Sequence, residues 1–474
     1  MNLLHLEDDV SWFERSVKPH YEKITGLAFQ HAKNTESAQL ILSQSGIDYV
    51  VLDLSVPVND NGDSNMSHGL SFAMFVRNNY PGTPIIILTG QSTQKAAQRF
   101  EEQNTFAVHW DGESKNLVKL RRKSDLNHVI KLLKYETECL RVLDQIELDY
   151  DASVLQLSRF QKRVIRLFSF SNNAIAATVH PLTGGLSSAK VLKVGLLNAT
   201  GKIIHLALAK VDNFNKADNE KNNYTSHITK LSVGCFPTFI NEYSAGCGSV
   251  KGVFFQFADK YKENYFDSFI KGDDSSFETI SLIKSLFSYW KDNTELKNLS
   301  IGEVRKIVCN DEKFINKAFK YLNEYEDSIK ELELKYVNVN FCIQHVDLHG
   351  LNILLVEDKR SLPLIIDYGD VQKAPAAYDI VTLELSPYFH PYIVEKLKLD
   401  LAPLDAWFND SVAPTLGRNP ETSRFLRAWA RENAYLKQDY AACVYAYAVK
   451  QLTYDDTDKR AALALIQGVL RVFD

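Results

Sequence analysis

Three polar residues flank two short runs of branched apolar residues in the segment HVDLHGLNILLVEDKRSLPLIIDYGD, namely Asp347, Asn352 and Asp367. Polar loops between buried strands often contain Asp and Asn, so each residue taken alone has an ordinary structural explanation. Taken together, their oxygen-bearing side chains suit Mg²⁺, which prefers oxygen ligands and accompanies phosphates. If the two apolar runs pair as a hairpin, Asn352 and Asp367 come to the same end of it. Polar loops between buried strands and a site for a metal-bound nucleotide are both compatible with this segment alone, and the rest of the chain has to decide between them.

A second set of acidic residues follows short apolar runs near the start of the chain. The first run is followed by Glu7, Asp8 and Asp9, while Asp53 ends the second run and Thr89 the third. Clustered carboxylates repel one another unless a divalent cation lies among them, and such a cation can also hold a phosphoryl group. This pattern predicts Asp53 as the phosphoacceptor and Thr89 as the hydroxyl that senses the phosphoryl group. Asp8 and Asp9 are predicted to join Asp53 as Mg²⁺ ligands.

The apolar runs before these acids are typical of buried strands in a parallel sheet. Residues 2–7, 49–54 and 84–90 contain runs of consecutive apolar residues rather than an alternating pattern, as expected when helices cover both faces of a sheet. The stretches around 12–44 and 69–79 have helical spacing. Alternating strands and helices predict a doubly wound α/β domain, whose functional residues gather at the carboxyl ends of the strands.

Residues 136–174 are predicted to form a helical connector. From Asp125 to Phe170, apolar residues recur every three or four positions, with one break near LDYDAS where Asp151 or Ser153 would start a second helix. The first helix would complete the α/β domain and the second would be a spacer. Such a pair can carry a signal, form a dimer seam or simply pack against its neighbours.

The pattern changes after residue 175 to strand-like runs that turn residues separate. A turn rich in Gly and Ser joins two of them, and its backbone amides could approach phosphate oxygens because Gly lacks a side chain. The residues of this turn are Gly184, Gly185, Leu186, Ser187 and Ser188. Lys210 ends the next strand, where it would reach the α- and β-phosphates if an acid held it, and Glu220 is the best-placed acid. A hairpin turn and a surface Lys and Glu explain the same residues without a ligand.

The segment KGVFFQFADKY at 251–261 predicts a strand that leads to a hinge. Backbone groups near Gln256 to Ala258 would bond an adenine there. Long and largely helical segments follow and lead to the segment that contains Asp347.

Residues 1–135 resemble a response-regulator receiver domain. The motifs that carry the resemblance are LEDD at 6–9, LDLSVP at 52–57 and ILTG at 87–90. The family also has a Lys on the fifth strand, normally followed by Pro, that contacts the phosphoryl group. This region has no such pair, and the role could fall to Lys119, Arg122 or Lys123. The sequence leaves two alternatives open. A working receiver would imply a histidine kinase as phosphodonor, and a degenerate receiver would serve for docking or dimerisation.

HVDLHGLN and IIDYGD resemble the catalytic and magnesium-binding loops of the kinase superfamily. Their short separation and the acid after the YG pair are similar to the aminoglycoside phosphotransferase and choline kinase branch. The resemblance covers roughly residues 175–474 and is strongest over 341–385. Val346 replaces the usual Gly and Tyr368 the usual Phe, and neither change removes a functional group.

The kinase resemblance implies a role for each of these polar residues. Asp347 would be the catalytic base or would orient the acceptor hydroxyl, and Asn352 and Asp367 would bind Mg²⁺. Lys210 would hold phosphates of ATP, braced by Glu220. The residues with an implied supporting role are His345, His349 and Asp379.

The composition of the whole chain narrows the class of protein. Its 474 residues are enough for two or three domains, and the hydrophobic (45%) and charged (24%) fractions are those of a soluble globular protein. The net charge of -5 gives no general reason to expect nucleic acid or an anionic membrane as partner. The six cysteines form no CxxC pair, the first residues lack a basic end, and no long apolar segment is present. We therefore expect a cytoplasmic protein without a disulfide framework or membrane span.

The predicted fold is an α/β receiver with a doubly wound parallel sheet, followed by an α+β bilobal protein-kinase-like domain. Its N-lobe would span about 175–260 and its helical C-lobe about 261–474. The predicted function is ATP- and Mg²⁺-dependent transfer of a phosphoryl group to a hydroxyl of a small molecule or protein, regulated by the receiver. Acids and aromatics after residue 386 would suit a cationic acceptor, although any helical lobe has some of both.

Two alternative functions remain open from the sequence. One is a catalytically silent nucleotide-binding adaptor in a signalling or defence assembly, and the other is a nucleotidyl transferase on the same fold. The presence of Asp347 favours an enzyme, because a protein that only binds nucleotide has no use for it. A homodimer through the receiver or the connector is a further expectation.

Overall fold

The computed structural model describes most of the chain, in the ranges 1–90, 105–182, 190–310, 312–356, 362–397, 404, 406–409 and 419–474. The chain packs into two compact units. The first consists of Met1–Asp218 and Phe239–Phe257, and the second of Asn219–Thr238 and Ala258–Asp474. No helix in these ranges combines the length and the apolar character needed to cross a membrane.

The first unit begins with a five-stranded sheet and a small hairpin. The strands are β1 (Asn2–Leu6), β2 (Ala28–Ala32), β3 (Tyr49–Leu52), β4 (Ile85–Thr89), β5 (Phe106–Val108), β6 (Ser114–Asn116) and β7 (Val118–Arg122). The sheet is parallel in the order β2-β1-β3-β4-β7, and β5 pairs with β6 antiparallel. Counted within the sheet this is the order 2-1-3-4-5, that of flavodoxin-like doubly wound folds such as the receiver.

Helices connect these strands. They are α1 (Val10–Trp12), α2 (Lys18–Tyr21), α3 (Thr35–Gln44), α4 (Met66–Asn79) and α5 (Leu126–Asp144). A π-helical turn, Phe13–Val17, joins α1 to α2. The prediction of helix throughout 12–44 was wrong, because β2 lies inside that stretch. Its sequence AFQHA alternates between exposed and partly buried positions at the sheet edge, so it lacks the continuous apolar run of the inner strands.

A six-stranded sheet completes the first unit. Its strands are β8 (Glu147–Asp149), β9 (Ala176–Pro181), β10 (Lys190–Leu197), β11 (Ile203–Asn213), β12 (Phe239–Tyr243) and β13 (Val250–Gln256). The order is β12-β13-β11-β10-β9-β8, antiparallel except for the parallel pair β8–β9. Helix α6 (Arg159–Ser171) packs closely on β13, since a Cβ at Gly252 would lie 2.2 Å from Val164 Cγ1.

The second unit contains two small sheets. Helix α7 (Phe214–Ser226) runs from the first unit into the second, and the strands are β14 (Tyr261–Asn264), β15 (Glu295–Ser300), β16 (Tyr336–Gln344), β17 (Ile353–Val356), β18 (Leu364–Ile365) and β19 (Gln372–Pro375). The sheets have the orders β14-β17-β18 and β15-β16-β19.

Helices make up most of the second unit. They are α8 (Tyr265–Lys271), α9 (Asp273–Leu286), α10 (Ile301–Val308), α11 (Glu312–Phe319), α12 (Glu326–Leu334), α13 (Tyr378–Phe389), α14 (Pro391–Leu397), α15 (Pro420–Asn433), α16 (Lys437–Thr453) and α17 (Lys459–Phe473). The core of the unit surrounds α16, in which every residue from Ala441 to Val449 is buried. Helices and small antiparallel sheets together give this unit an α+β organisation. The boundaries predicted at residues 135 and 175 stay predictions, and the two units divide within α7 and after Phe257.

Candidate active site

Hydrogen bonds to Asp379, at the start of α13, fix the loop that leads to Asp347. Asp379 Oδ2 accepts from the backbone N–H of His345 at 2.6 Å, and Oδ1 accepts from that of Val346 at 2.8 Å. Val346 has a φ of +69°, a left-handed conformation that a β-branched residue rarely adopts. A second contact joins His345 Nε2 to the carbonyl of Ile366 at 3.0 Å. These bonds hold a strained turn in one conformation, as the supporting roles predicted for both side chains require.

Asp347 presents a partly exposed carboxylate at the end of this loop. Its side chain is 31% exposed, Oδ1 lies 3.1 Å from Lys450 Nζ, and Oδ2 lies 3.6 Å from His349 Nε2. Burial raises the pKa of Asp347, but Lys450 and His349 outweigh it and hold that pKa well below its usual value. The carboxylate is therefore ionised at neutral pH and can accept a hydrogen bond from a hydroxyl group.

Asn352 and Asp367 lie at the same end of the β17–β18 hairpin. The pairing of Ile353 with Ile365 confirms the predicted hairpin, and the backbone N–H of Ile366 donates to the carbonyl of Asn352 at 3.0 Å. The Nδ2 of Asn352 donates to the carbonyl of Asp347 at 2.8 Å, and its Oδ1 is the atom predicted to bind Mg²⁺. Asp367 has a φ of +67°, an uncommon conformation for a residue with a side chain.

Helix α7 holds the backbone that follows Asp367. Glu220 Oε1 accepts from the N–H of Tyr368 at 2.9 Å, and Asn223 Nδ2 donates to the carbonyls of Tyr368 and Gly369 at 2.8 and 3.1 Å. Sequence reasoning missed Asn223. Its spacing of one helical turn from Glu220 is the only signal that could have suggested it.

The residues predicted to bind nucleotide in the first unit lie in its six-stranded sheet. Lys210, on β11, is 6% exposed and pairs in register with Val191 on one side and Val253 on the other. Gln256 ends β13 and is exposed, and Ala258 begins the second of the two segments that form the second unit. The predicted phosphate-binding residues Gly184, Gly185, Leu186, Ser187 and Ser188 lie outside the described residues.

A cluster of acids lies at the carboxyl edge of the parallel sheet. Glu7, Asp8 and Asp53 each offer an oxygen atom, and these atoms lie within 4.8 Å of one another, a spacing that suits a divalent cation. Burial raises the pKa of Glu7 to about 7. The predicted ligand Asp9 instead places its Oδ1 at the start of α1, where it accepts from the N–H of Trp12 at 2.9 Å. The role of Asp9 as a Mg²⁺ ligand stays a prediction. Glu7 belongs to the acid cluster but was not among the ligands predicted from the sequence.

Lys123 is the basic residue that contacts Asp53. Its Nζ lies 2.8 Å from Asp53 Oδ2 and 2.7 Å from Glu7 Oε2. Lys119, the other lysine predicted for this role, lies with its Nζ 3.6 Å from Glu136 Oε1.

The hydroxyl predicted to sense the phosphoryl group lies at the same edge of the sheet. Thr89 is fully buried at the end of β4, and its register partner at the end of β7 is Arg122. The backbone N–H of Asp53 donates to the carbonyl of Leu6 at 2.8 Å, so the ends of β1 and β3 are level.

Comparisons with known proteins give matches of fold only. No protein-family model matches the chain, and no curated protein matches it. Among solved structures, the receiver domain of the Francisella response regulator 1452 is 18% identical, with a TM-score of 0.22, over 29% of this chain and 96% of that one.

A choline kinase and an aminoglycoside phosphotransferase are also among the solved structures that resemble the chain. The choline kinase LicA from Streptococcus pneumoniae is 11% identical, with a TM-score of 0.35, over 61% of this chain and 93% of that one. The aminoglycoside phosphotransferase APH(3'')-Id from Streptomyces rimosus is 12% identical, with a TM-score of 0.33, over 58% and 93%. The fold itself is argued from the chain's own strand order and hairpin.

Proposed function

We propose that this protein is an ATP- and Mg²⁺-dependent phosphotransferase that acts on a hydroxyl group and is regulated by its receiver part. The observation that carries the proposal is the ionised, partly exposed carboxylate of Asp347 on a loop that Asp379 locks. Nucleotide binding alone gives no reason to hold a carboxylate in this way. A carboxylate held in this way can orient an acceptor hydroxyl for phosphoryl transfer.

Asn352 and Asp367 fit a magnesium ion. Both present oxygen atoms at one end of the hairpin, and the amide nitrogen of Asn352 is turned away to the carbonyl of Asp347. The left-handed backbone of Asp367 costs free energy, as is common at ligand-binding residues. When bound, the ion would neutralise charge on the phosphate oxygens.

In the proposed reaction, Asp347 mainly orients the acceptor hydroxyl and also accepts its proton. The acceptor hydroxyl donates to the carboxylate, and its oxygen forms a bond to the γ-phosphorus of ATP as the bond from that phosphorus to the bridging oxygen breaks. ADP leaves with the bonding pair, and the hydroxyl proton passes to Asp347. Because the pKa of Asp347 is held low, the carboxylate is a weak base, and positioning supplies most of its effect.

Labelled ATP tests the proposal. With Mg²⁺ and ATP labelled at the γ-phosphorus, we expect the wild type to release ADP and to label an acceptor or water. Asp347→Asn should lower this rate by about 100-fold, the scale of a lost catalytic acid or base. Asp455→Asn, which changes an acid that is 89% exposed, should leave it unchanged.

Other outcomes separate the alternatives. Transfer of label from the α-phosphorus would favour a nucleotidyl transferase. Binding of Mg²⁺ and ATP without any turnover, in the wild type as in Asp347→Asn, would favour the adaptor.

The receiver part contacts the six-stranded sheet at the turn between β12 and β13. Trp110 Nε1 donates to the carbonyl of Ala245 at 2.9 Å, and the N–H of Gly82 donates to the carbonyl of Gly248 at 2.9 Å. Gly246, with a φ of +67°, allows the close approach of Trp110, because a Cβ there would lie 2.2 Å from the indole ring.

This turn is the proposed route of regulation. It leads into β13, and β13 pairs with β11, the strand that carries Lys210. Phosphorylation of Asp53, with a histidine kinase as the proposed donor, would change the acid cluster and shift the receiver part between two conformations. The contacts of Trp110 and Gly82 would pass that shift to β13.

A further inference from the structure

Lys450 is a charged residue at the end of an apolar helix. It follows the buried run from Ala441 to Val449 on α16, its own side chain is 14% exposed, and its Nζ lies 3.1 Å from Asp347 Oδ1. Burying an ammonium group costs free energy unless a partner compensates it. Asp347 is that partner, and the contact joins Lys450 to the candidate active site.

The groups around Lys450 are acidic or aromatic. Asp347, Tyr454, Tyr378 and Asp370 all favour its charged form, and together they outweigh burial and keep the pKa of Lys450 above its usual value. Tyr378 is fully buried, and its hydroxyl has no hydrogen-bond partner among the described residues. A buried hydroxyl of this kind is rare without a partner, so it is a second polar group for a ligand beside the ammonium.

We infer that Lys450 binds an anionic group of the acceptor, a carboxylate or a phosphate, next to the hydroxyl that Asp347 orients. The hydroxyl would donate to Asp347 while the anion accepts from Lys450, which matches the close spacing of the two charges. An acceptor with an ammonium group there would place a second cation beside Lys450, and this repulsion disfavours cationic acceptors. The inference rests on the proposed function and names the class of its acceptor. It replaces the cationic acceptor that the aromatics after residue 386 suggested.

The test uses small hydroxyl compounds that differ in charge. The probes are glycerate and glycerol 3-phosphate as anions, glycerol as the neutral compound and choline as the cation. For the wild type we expect the anions to raise the melting temperature and the rate of ADP release, with choline doing neither. The stronger of the two anions identifies the group as a carboxylate or a phosphate.

Variants of Lys450 assign the effect to this side chain. Lys450→Met should lower kcat/KM for the anions by at least about tenfold, since a charged hydrogen bond is lost. It should abolish the anion-dependent rise in melting temperature and permit choline to bind. Lys450→Arg keeps the charge and should retain the preference for anions. Lys437→Met, at the exposed start of the same helix, is the matched control and should behave as the wild type.

The melting experiment needs no turnover, so it tests the anion site at Lys450 separately from the proposed phosphotransferase activity. Anion-dependent stabilisation that Lys450→Met removes, without any ADP release, would contradict the phosphotransferase and leave the anion site standing. Stabilisation by choline in the wild type, no stabilisation by either anion, or an anion effect that survives in folded Lys450→Met would overturn the inference.

Discussion

Lys123 supplies the positive charge that offsets the repulsion between Glu7 and Asp53 in the receiver part when no metal is bound. It is 23% exposed and contacts both Glu7 and Asp53, whose side chains are 1% and 7% exposed. Lys123→Met would leave two carboxylates close together in a site that is mostly buried, and we expect a loss of about 2 kcal/mol in the free energy of unfolding. Magnesium should restore part of this loss, because the ion supplies positive charge at the same acids. Urea unfolding with and without MgCl₂ measures both effects.

Lys119→Met is the matched control for this prediction. Lys119 lies on β7, the strand that ends just before Lys123, is 17% exposed and contacts Glu136 instead of the acid cluster. Its loss should lower the stability by an amount that MgCl₂ does not change. Equal responses of the two variants to MgCl₂ would contradict the role of Lys123.

The identity of the lysine is an example of what the sequence could not decide. The carboxyl ends of parallel strands meet at one edge of a sheet, so the contacting residue had to lie at the end of β7. Lys119 is four residues before Lys123, which corresponds to roughly 13 Å along a strand. Without a Lys-Pro pair the sequence did not show where β7 ends, and the choice stayed open. Lys450 was beyond sequence reasoning altogether, because only the packing of α16 brings it to Asp347.

Helix α7 is the element that positions the segment after Asp367, which is predicted to bind Mg²⁺ in the candidate active site. Glu220 and Asn223 bond the N–H and the carbonyl of Tyr368, so the helix holds both sides of the residue that follows Asp367. Since the backbone of Asp367 is in the left-handed region, it would relax if these bonds were lost. The role we expect for Asn223 is therefore to position Asp367 through the backbone of Tyr368 and Gly369.

Asn223→Ala should weaken the binding of Mg²⁺ more than it lowers the stability of the fold. We expect the Mg²⁺ concentration for half-maximal ADP release to rise by about tenfold, with a loss of only about 1 kcal/mol in stability for the missing hydrogen bonds. Titration of the rate with MgCl₂ and urea unfolding of the same variant separate the two. Thr225→Ala, at an exposed position of α7, is the control. An unchanged Mg²⁺ requirement in Asn223→Ala would show that α7 does not position Asp367.

Elements bounded by strong local signals could be predicted, and the others could not. The β17–β18 hairpin and the inner parallel strands have continuous apolar runs between turn residues, and both are present. Strand β8 has only three residues, ELD, and lies where the sequence predicted a simple break between two helices. Its pairing with β9 comes from tertiary contacts, which no local pattern encodes.

At the scale of the whole molecule, the receiver part is continuous with the six-stranded sheet. One core of buried apolar side chains includes Leu3 and Leu88 from the parallel sheet, Phe168 from α6 and Phe254 from β13. The sequence predicted the second connector helix as a spacer, but as α6 it contributes to this shared core. A conformational change in the receiver part can therefore reach the six-stranded sheet through contacts within this shared core.

Arg163 and Asp48 form the charged centre of this junction. Arg163 is 1% exposed, its Nη1 lies 2.6 Å from Asp48 Oδ1, and it also donates to the carbonyl of Gly246 in the turn between β12 and β13. Arg159 contacts the other oxygen of Asp48 but is 44% exposed. The two arginines share one partner and one helix, so they differ mainly in burial.

Arg163→Met should therefore uncouple the receiver part, whereas Arg159→Met should not. Loss of the buried pair leaves Asp48 without its inner partner and should cost about 3 kcal/mol, against less than about 1 kcal/mol for the exposed pair. Hydrogen exchange should quicken in β3 and in the turn before β13 together. Acetyl phosphate should change the rate of ADP release in the wild type and in Arg159→Met, but not in Arg163→Met or in Asp53→Ala. A full response in a destabilised Arg163→Met variant would mean that the signal reaches β13 by the contacts of Trp110 and Gly82 without this ion pair.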